Sequence, residues 1–219
     1  SIANNNYGIY LWYSSNNIIY HNNFIENTIQ VITEISCNIW DNGYPSGGNY
    51  WGDYTGVDEK SGPDQDQPGS DGIGDTQYVI DANNTDKYPL MGPFNAFDVG
   101  VWNEVAYNVD IVSNSTVSDF YFNPDEGAFL SFNVTGKNGT VGFCRVAIPK
   151  DLLWAEDGWT VSVGGEPVNY TIIQDQNFTY LYFTYNHSTK TVVIQGTHVI
   201  PEFPATIVLP FSMIITLIA

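Results

Sequence analysis

Aspartates are concentrated in one Gly- and Pro-rich stretch, residues 62–81, which reads GPDQDQPGSDGIGDTQYVID. Within DQDQPGSDGIGD, aspartate occupies the first, third, eighth and twelfth positions. Calcium prefers about six to eight oxygen ligands, supplied by carboxylates and carbonyls on a tightly turning chain. The stretch therefore predicts a calcium site with Asp64, Asp66, Asp71 and Asp75 as core ligands, and Asp58 and Asp81 as additional candidates. The alternative is a solvated acidic turn.

The spacing only partly matches an EF-hand loop, because Pro68 stands at the fifth position and Asp75 replaces the bidentate glutamate at the twelfth. The DGIGD core resembles the calcium-binding aspartate repeats of thrombospondin type 3 modules. Carboxylates that converge within a few ångströms raise one another's pKa unless a cation neutralises them. We therefore expect calcium, if bound, to hold this stretch in shape.

The composition limits the possible functions. With 24 acidic and six basic residues, the formal charge of −18 repels phosphate backbones, which excludes nucleic-acid binding. Hydrophobic residues make up 43% and aromatics 15%, which is enough for packed cores. Runs of Tyr, Val, Ile, Phe and Thr between Gly, Asn and Pro predict an all-β chain.

The first 40 residues contain an internal repeat. A shift of 21 residues places Asn6 on Asn27, Tyr10 on Val31, Leu11 on Ile32, Ser15 on Ser36, Asn17 on Asn38 and Ile18 on Ile39. Short apolar strands between Asn and Ser corners at a fixed period predict the last coils of a parallel β-solenoid with amide ladders at its turns. The alternative is two ordinary hairpins with Asn turns.

Three segments carry a family resemblance: NNNYGIYLWYSSNNIIYHNNFIEN, WDNGYPSGGNYWGDYTGVD and GSDGIGDTQYVIDANNTDKYPLM. Together they cover about residues 1–94 and resemble archaeal cell-surface proteins with right-handed parallel β-helices of the NosD type (PbH1-like repeats). The domain that follows resembles the β-sandwich modules of such proteins in three motifs, FNVTGKNGTVGFCRVAIPKDLL, GWTVSVGGEPVNYT and YFTYNHSTKTVVIQGT. In those proteins the modules stand beside a C-terminal PEF-type membrane anchor, which PEFP resembles here. The resemblance implies location and architecture more than activity.

From about residue 98 the pattern changes to eight candidate strands in about 100 residues, separated by turn signals, which predicts an immunoglobulin-like β-sandwich. The expected organisation is the end of a right-handed parallel β-helix at 1–43, a Gly/Asp-rich cap at 44–97, the β-sandwich at 98–199 and a truncated C-terminal hydrophobic anchor at 200–219. The alternative for the last segment is a buried strand, since the apolar run 205–219 is shorter than a bilayer span.

Aromatic residues have two possible roles. Trp40, Tyr44, Tyr50, Trp51 and Tyr54 are predicted to cover the open end of the solenoid. Alternatively, aromatic rings that stay exposed can stack on sugars, and the candidates for this are Trp12, Tyr13, Trp40, Trp51 and Tyr54.

Seven Asn-x-Ser/Thr sequons predict surface glycosylation of an exported protein. They are Asn83, Asn114, Asn133, Asn138, Asn169, Asn177 and Asn186. For Cys37 and Cys144 we favour two separate buried thiols over a disulfide.

No catalytic residues are nominated. Lyases on parallel β-helices use a basic residue, whereas Arg145 is the sole arginine and lies in the predicted sandwich. Copper, which the NosD resemblance suggests, lacks a local ligand cluster among His21, His187, His198, Met91 and Met213.

The sequence therefore predicts a non-catalytic, extracellular structural or adhesive protein with a calcium-stabilised cap. Expected partners are surface glycans or other cell-surface proteins, with the C-terminal segment in the membrane. The alternative is a carbohydrate-binding or carbohydrate-processing β-helix protein.

Overall fold

The computed structural model describes residues 1–102 and 104–200. Within these ranges the secondary structure consists of β-strands, turns and one 3₁₀ turn at Pro124–Glu126, with no α-helix. The all-β prediction is confirmed.

The first 51 residues, the coil region, form stacked parallel strands. They are β1 (Ile2–Ala3), β2 (Tyr7–Trp12), β3 (Asn23–Ile25), β4 (Ile29–Glu34) and β5 (Tyr50–Trp51). β3 lies between β1 and β5, β2 pairs with β4, and Ile18 bridges Ile39, all in parallel. Two ordinary hairpins would give antiparallel pairs, so that alternative is wrong.

The predicted repeat is correct for one half of the coil and off by one residue for the other. Asn17 and Ile18 lie against Asn38 and Ile39, as the 21-residue shift requires. In β2, however, Tyr10 pairs with Ile32 rather than Val31, a shift of 22. The first coil has one more residue between Ser14 and Asn17 than the second coil has between Ser36 and Asn38. The 21-residue alignment did not include this extra residue, so it misplaced β2 by one position.

Asparagine side chains connect successive coils. The Nδ2 of Asn5 donates to the Oδ1 of Asn27 at 3.1 Å, and Asn17 donates likewise to Asn38 at 2.8 Å. Asn22 repeats the arrangement on Asn49 at 3.2 Å. The amide ladders are confirmed, and they satisfy polar groups at corners where the strand ladder is interrupted.

Residues 52–93, the connecting segment, contain two short hairpins. They are β6 (Lys60–Ser61) with β7 (Gln67–Pro68), and β8 (Tyr78–Asp81) with β9 (Asn84–Asp86). The ring of Trp51 stacks between Phe24 at 4.3 Å and Tyr78 at 4.2 Å, beside the buried Trp40. The connecting segment therefore adds a ring to the core of the coil region and covers it.

A buried carboxylate joins the coil region to the connecting segment. Asp86 has no exposed surface, and its side chain accepts hydrogen bonds from the backbone N–H of Asn49 at 2.7 Å, the indole N–H of Trp51 at 2.8 Å and the backbone N–H of Tyr88 at 3.0 Å. Burial nevertheless raises the pKa of Asp86 to about 7.

The remaining strands form antiparallel sheets. In chain order they are β10 (Phe94–Trp102), β11 (Val105–Ser113), β12 (Thr116–Phe122), β13 (Phe129–Thr135), β14 (Val141–Pro149), β15 (Leu153–Trp154), β16 (Thr160–Val163), β17 (Glu166–Pro167), β18 (Tyr170–Gln174), β19 (Phe178–Asn186), β20 (Lys190–Gln195) and β21 (His198–Val199). Sheet I has the order β10-β11-β14-β19-β18, sheet II the order β12-β13-β20-β16-β17, and β15 pairs with β21.

All eight strands expected after residue 98 coincide with observed strands. β10 was not predicted, and it begins at Phe94, inside the range assigned to the cap. Sheets I and II share one apolar core, to which Ile111 and Val146 contribute from sheet I and Phe132 and Ile194 from sheet II.

The other face of sheet I is covered as well. Val112 and Phe143 project there and pack against Ile73 and Leu90 of the connecting segment. Tyr44 and Tyr50 join this second cluster rather than the aromatic core of the coils. Because both faces of β14 are covered, every one of its residues after Val141 is buried.

Candidate functional site

The sole arginine lies at the junction of the coil region, the connecting segment and sheet I. Arg145 sits in β14 between Val112 of β11 and Tyr182 of β19, on the face opposite the core between the sheets. Its side chain is only 3% exposed. One Nη donates to the carbonyl of Pro45, and the guanidinium carbon lies 4.3 Å from the ring centroid of Tyr180. The Nε is buried and has no hydrogen-bond partner among residues 1–102 and 104–200.

A buried aspartate provides the opposite charge. Asp71 is 1% exposed and accepts a hydrogen bond from the backbone N–H of Ile73 at 3.0 Å. Burial raises its pKa, and the charge of Arg145 opposes that shift. Burial likewise lowers the pKa of Arg145, with Asp71 as the main opposing charge. Within the described residues, Arg145 and Asp71 form no ion pair with an N···O distance of 4.0 Å or less, so their charges attract each other over a longer distance.

Gly72 lets the connecting segment approach the arginine. Its φ is +86°, and a Cβ there would lie 2.7 Å from the Cδ of Arg145. The carboxylate of Asp58 holds this turn by accepting from the backbone N–H of Asp71 at 3.0 Å and of Gly72 at 2.8 Å. Burial raises the pKa of Asp58 to about 7, despite these two bonds.

A cavity of about 200 Å³ opens beside the guanidinium, between the coil region and sheet I. His21 forms one wall, with its ring stacked on Phe94 at 4.1 Å and its Nε2 3.1 Å from the carbonyl of Ser46. Burial lowers the pKa of His21 to about 4, so the ring is neutral at pH 7. A carbonyl only accepts hydrogen bonds, so the proton of the neutral ring lies on Nε2.

Asp110 lines the same cavity, two residues before Val112 on β11. No hydrogen-bond donor contacts its carboxylate in residues 1–102 and 104–200, and burial alone raises its pKa to about 6. The cavity therefore has an available acceptor at the carboxylate of Asp110.

The predicted calcium ligands are distributed over several places. Asp64 and Asp66 are exposed in the β6–β7 turn, whereas Asp71 is buried near Arg145. Asp75 accepts from the backbone N–H of Glu59 and of Lys60, each at 3.1 Å.

The two additional calcium candidates also have partners within the chain. Asp58 holds the turn at Gly72, and Asp81 accepts from Thr33 and from Asn84. Across the described ranges, no three His, Cys, Asp or Glu side chains form a group that could hold a metal ion. The calcium site stays a prediction.

The structure separates the aromatic candidates into two groups. Trp40 and Trp51 are buried in the core of the coils and Tyr54 is half-buried beside Tyr78, so these three cover the coil end as predicted. Trp12 and Tyr13 are 63% and 66% exposed.

The cysteines are unpaired. Cys144 is buried and Cys37 is exposed, so the expectation of two buried thiols is wrong for Cys37, which lies at a surface corner of the second coil.

Six of the seven sequon asparagines are exposed, which places them where a glycan is accessible, and Asn133 is half-buried between Asp119 and Thr191. The predicted anchor 200–219 lies, apart from Ile200, outside the described residues. Within the described ranges, no helix is long and apolar enough to cross a membrane.

The described residues define an all-β protein with a parallel coil region joined to two antiparallel sheets. Residues 1–56 match the family model described as "Periplasmic copper-binding protein (NosD)", which covers the coil region and little more. No curated protein and no solved structure matches the chain. Within the described part, the three histidines belong to no group of three or more His, Cys, Asp or Glu side chains that could hold a metal ion.

Sequence reasoning placed Arg145 in a strand but missed its neighbours Asp71, Tyr180 and Asp110. One signal was available: GFCRVAIP is a nearly continuous apolar run, which is typical of a strand covered on both faces. An arginine within such a run indicates a buried cation, and a buried cation requires partners.

Proposed function

We propose that this chain is the closing end of an extracytoplasmic protein with a right-handed parallel β-helix, and that its role is structural or adhesive rather than catalytic. In this proposal the coil region is the last part of the β-helix. The connecting segment closes it, and sheets I and II form an immunoglobulin-like β-sandwich beside the membrane. The partial match to a periplasmic family model supports the location outside the cytoplasm.

The observation that carries the proposal is the way the connecting segment is held between two other parts. Asp86 fixes it to the coil end, and Arg145 of sheet I contacts both Pro45 and Gly72. A third connection is direct, because the amide of Asn23 donates to the carbonyl of Phe94 at 2.8 Å and accepts from its N–H at 2.7 Å. Such joints make a β-helix and a sandwich one stiff unit, which a surface stalk requires.

The proposal includes calcium as a stabiliser of the exposed β6–β7 turn, and N-glycans on the exposed sequons. Its partners would be surface glycans or other cell-surface proteins, with the C-terminal segment anchored in the membrane. The acidic surface, at a formal charge of −18, favours divalent cations over anionic partners.

Hydrogen exchange with mass spectrometry in increasing urea tests the stiff unit. Amides of β2–β4, of the connecting segment and of β14 should lose protection at the same urea concentration, because the three parts open together. Loss of protection in the coil region well before sheet I would show two independent modules and contradict the proposal.

A further inference from the structure

Two cavities adjoin one another on the outer face of sheet I. The first, of about 200 Å³, lies at Arg145. The second, of about 460 Å³, shares Asp110 and Phe178 with it. Because both lie on the same face of sheet I, they form a single groove.

The length of this groove exceeds what a small ligand needs. From Arg145 to Pro149 it follows β14, which at ~3.4 Å per residue covers ~14 Å. An extended ligand of several linked units therefore fits better than a single compact molecule.

The lining alternates aromatic rings with polar groups. Rings line it at Tyr180 and Phe178, and Asp110 lines both cavities. Arg145 lines the end near the coil region. Sugars match this mixture, because a pyranose offers an apolar C–H face to rings and hydroxyls to carboxylates, amides and guanidinium groups.

Other ligand classes fit less well. Nucleic acid is disfavoured by the charge of −18. A peptide that binds by strand addition needs a free sheet edge, whereas this groove crosses the face of a sheet. A lipid chain would leave the carboxylate of Asp110 buried without a partner.

We infer that this groove binds an extended oligosaccharide, with Asp110 contacting one of its units and Phe178 stacking on the next. The inference goes beyond the structural role proposed above and does not depend on it. The sequon at Asn177 lies on the wall of the second cavity, so binding is best measured on protein made without N-glycans.

The test is titration calorimetry of the full chain with defined probes: cellohexaose, chitohexaose, xylohexaose, mannohexaose and hexagalacturonate. We expect one of them to bind at one site per chain, and its disaccharide to bind at least about tenfold more weakly, which corresponds to about 1.4 kcal/mol.

Asp110→Asn keeps the shape of the side chain, and Phe178→Ala removes a ring. Each should weaken binding at least about tenfold, with a melting temperature close to that of the wild type. If Phe178→Ala does not fold, the affinity of Asp110→Asn is the deciding measurement. Trp12→Ala is the matched control, because it removes an exposed aromatic ring of the coil region, far from the groove lining in sequence and absent from it.

Three results would overturn the inference. One is the absence of binding to all five probes. Another is unchanged affinity in Asp110→Asn and in folded Phe178→Ala. The third is loss of binding in Trp12→Ala, which would place the sugar on the exposed aromatic face of the coils.

Discussion

Replacing Arg145 by methionine tests whether this buried cation holds the coil region, the connecting segment and sheet I together. Methionine keeps much of the apolar stem but removes the charge and the donor to Pro45. The change leaves Asp71, which is 1% exposed, without the cation that opposes its raised pKa.

The stability that Arg145→Met should lose follows from two contributions. Opposite charges about 4 Å apart attract by roughly 4 kcal/mol at an effective dielectric constant near 20. Arg145 and Asp71 are farther apart than 4.0 Å, so this is an upper limit, and the desolvation of the arginine offsets part of it. Leaving one member of a buried charged pair alone typically costs about 3–5 kcal/mol. We expect Arg145→Met to lower the free energy of unfolding by about 3 kcal/mol.

A double-mutant cycle assigns this loss to the pair. Asp71→Asn removes the negative charge with little change of shape, and the double variant should be less destabilised than the sum of the single variants, by about 1–3 kcal/mol. Urea unfolding at pH 7, followed by tryptophan fluorescence and circular dichroism, gives all four free energies. Lys137→Met is the control, because it removes one exposed positive charge and should change stability by less than about 0.5 kcal/mol.

Additive effects of the two substitutions would refute the coupling between Arg145 and Asp71. If Arg145→Met is as stable as Lys137→Met, Arg145 does not hold the coil region, the connecting segment and sheet I together.

Three further predictions concern the connecting segment. Gly72→Ala should destabilise the protein by more than about 1 kcal/mol in urea unfolding, because the new Cβ meets the side-chain stem of Arg145. Gly139→Ala is the control and should cost less, because Gly139 has a similar φ of +82° but open space around it. Equal costs would mean that only backbone strain matters. Burial raises the pKa of Asp86 from its ordinary 3.8 to about 7, so the folded state holds this proton more tightly than the unfolded state. The contribution of Asp86 to the free energy of unfolding is therefore greatest below pH 4 and is lost as the pH rises through about 7. Melting curves should therefore show a stability decline between pH 5 and pH 8 that is smaller in Asp86→Asn, and an equal slope in both proteins would contradict the assignment. The calcium prediction expects millimolar Ca²⁺ to raise the melting temperature, and the joint change of Asp64 and Asp66 to Asn to abolish the rise. These two exposed residues are cleaner probes than the buried aspartate beside the arginine, and a rise that persists in the double variant would place the ion elsewhere.

The local order of the fold could be predicted from the sequence. Alternating apolar residues and turn signals gave the strands of sheets I and II, because a half-buried strand needs period-two patterning. β10 (Phe94–Trp102) was missed because Asn95, Asp98 and Gly100, residue types that are depleted in strands, interrupt its apolar pattern. The asparagine ladder was predicted because an amide stacks on its own copy one coil away. The register predicted for the repeat was wrong by one residue in β2, because a corner can hold an extra residue without any change in the strand pattern.

The sequence by itself determined the all-β composition, the coil repeat with its Asn17–Asn38 contact, and the acidic character of the surface. Only the tertiary structure decided that Arg145 is buried, that Asp71 is its opposing charge, and that Asp110 lines a cavity beside them. The reason is physical: these residues are separated by 35 to 74 positions along the chain, and no local periodicity relates them. They lie near one another only because the connecting segment folds back over a sheet whose strands come later in the sequence.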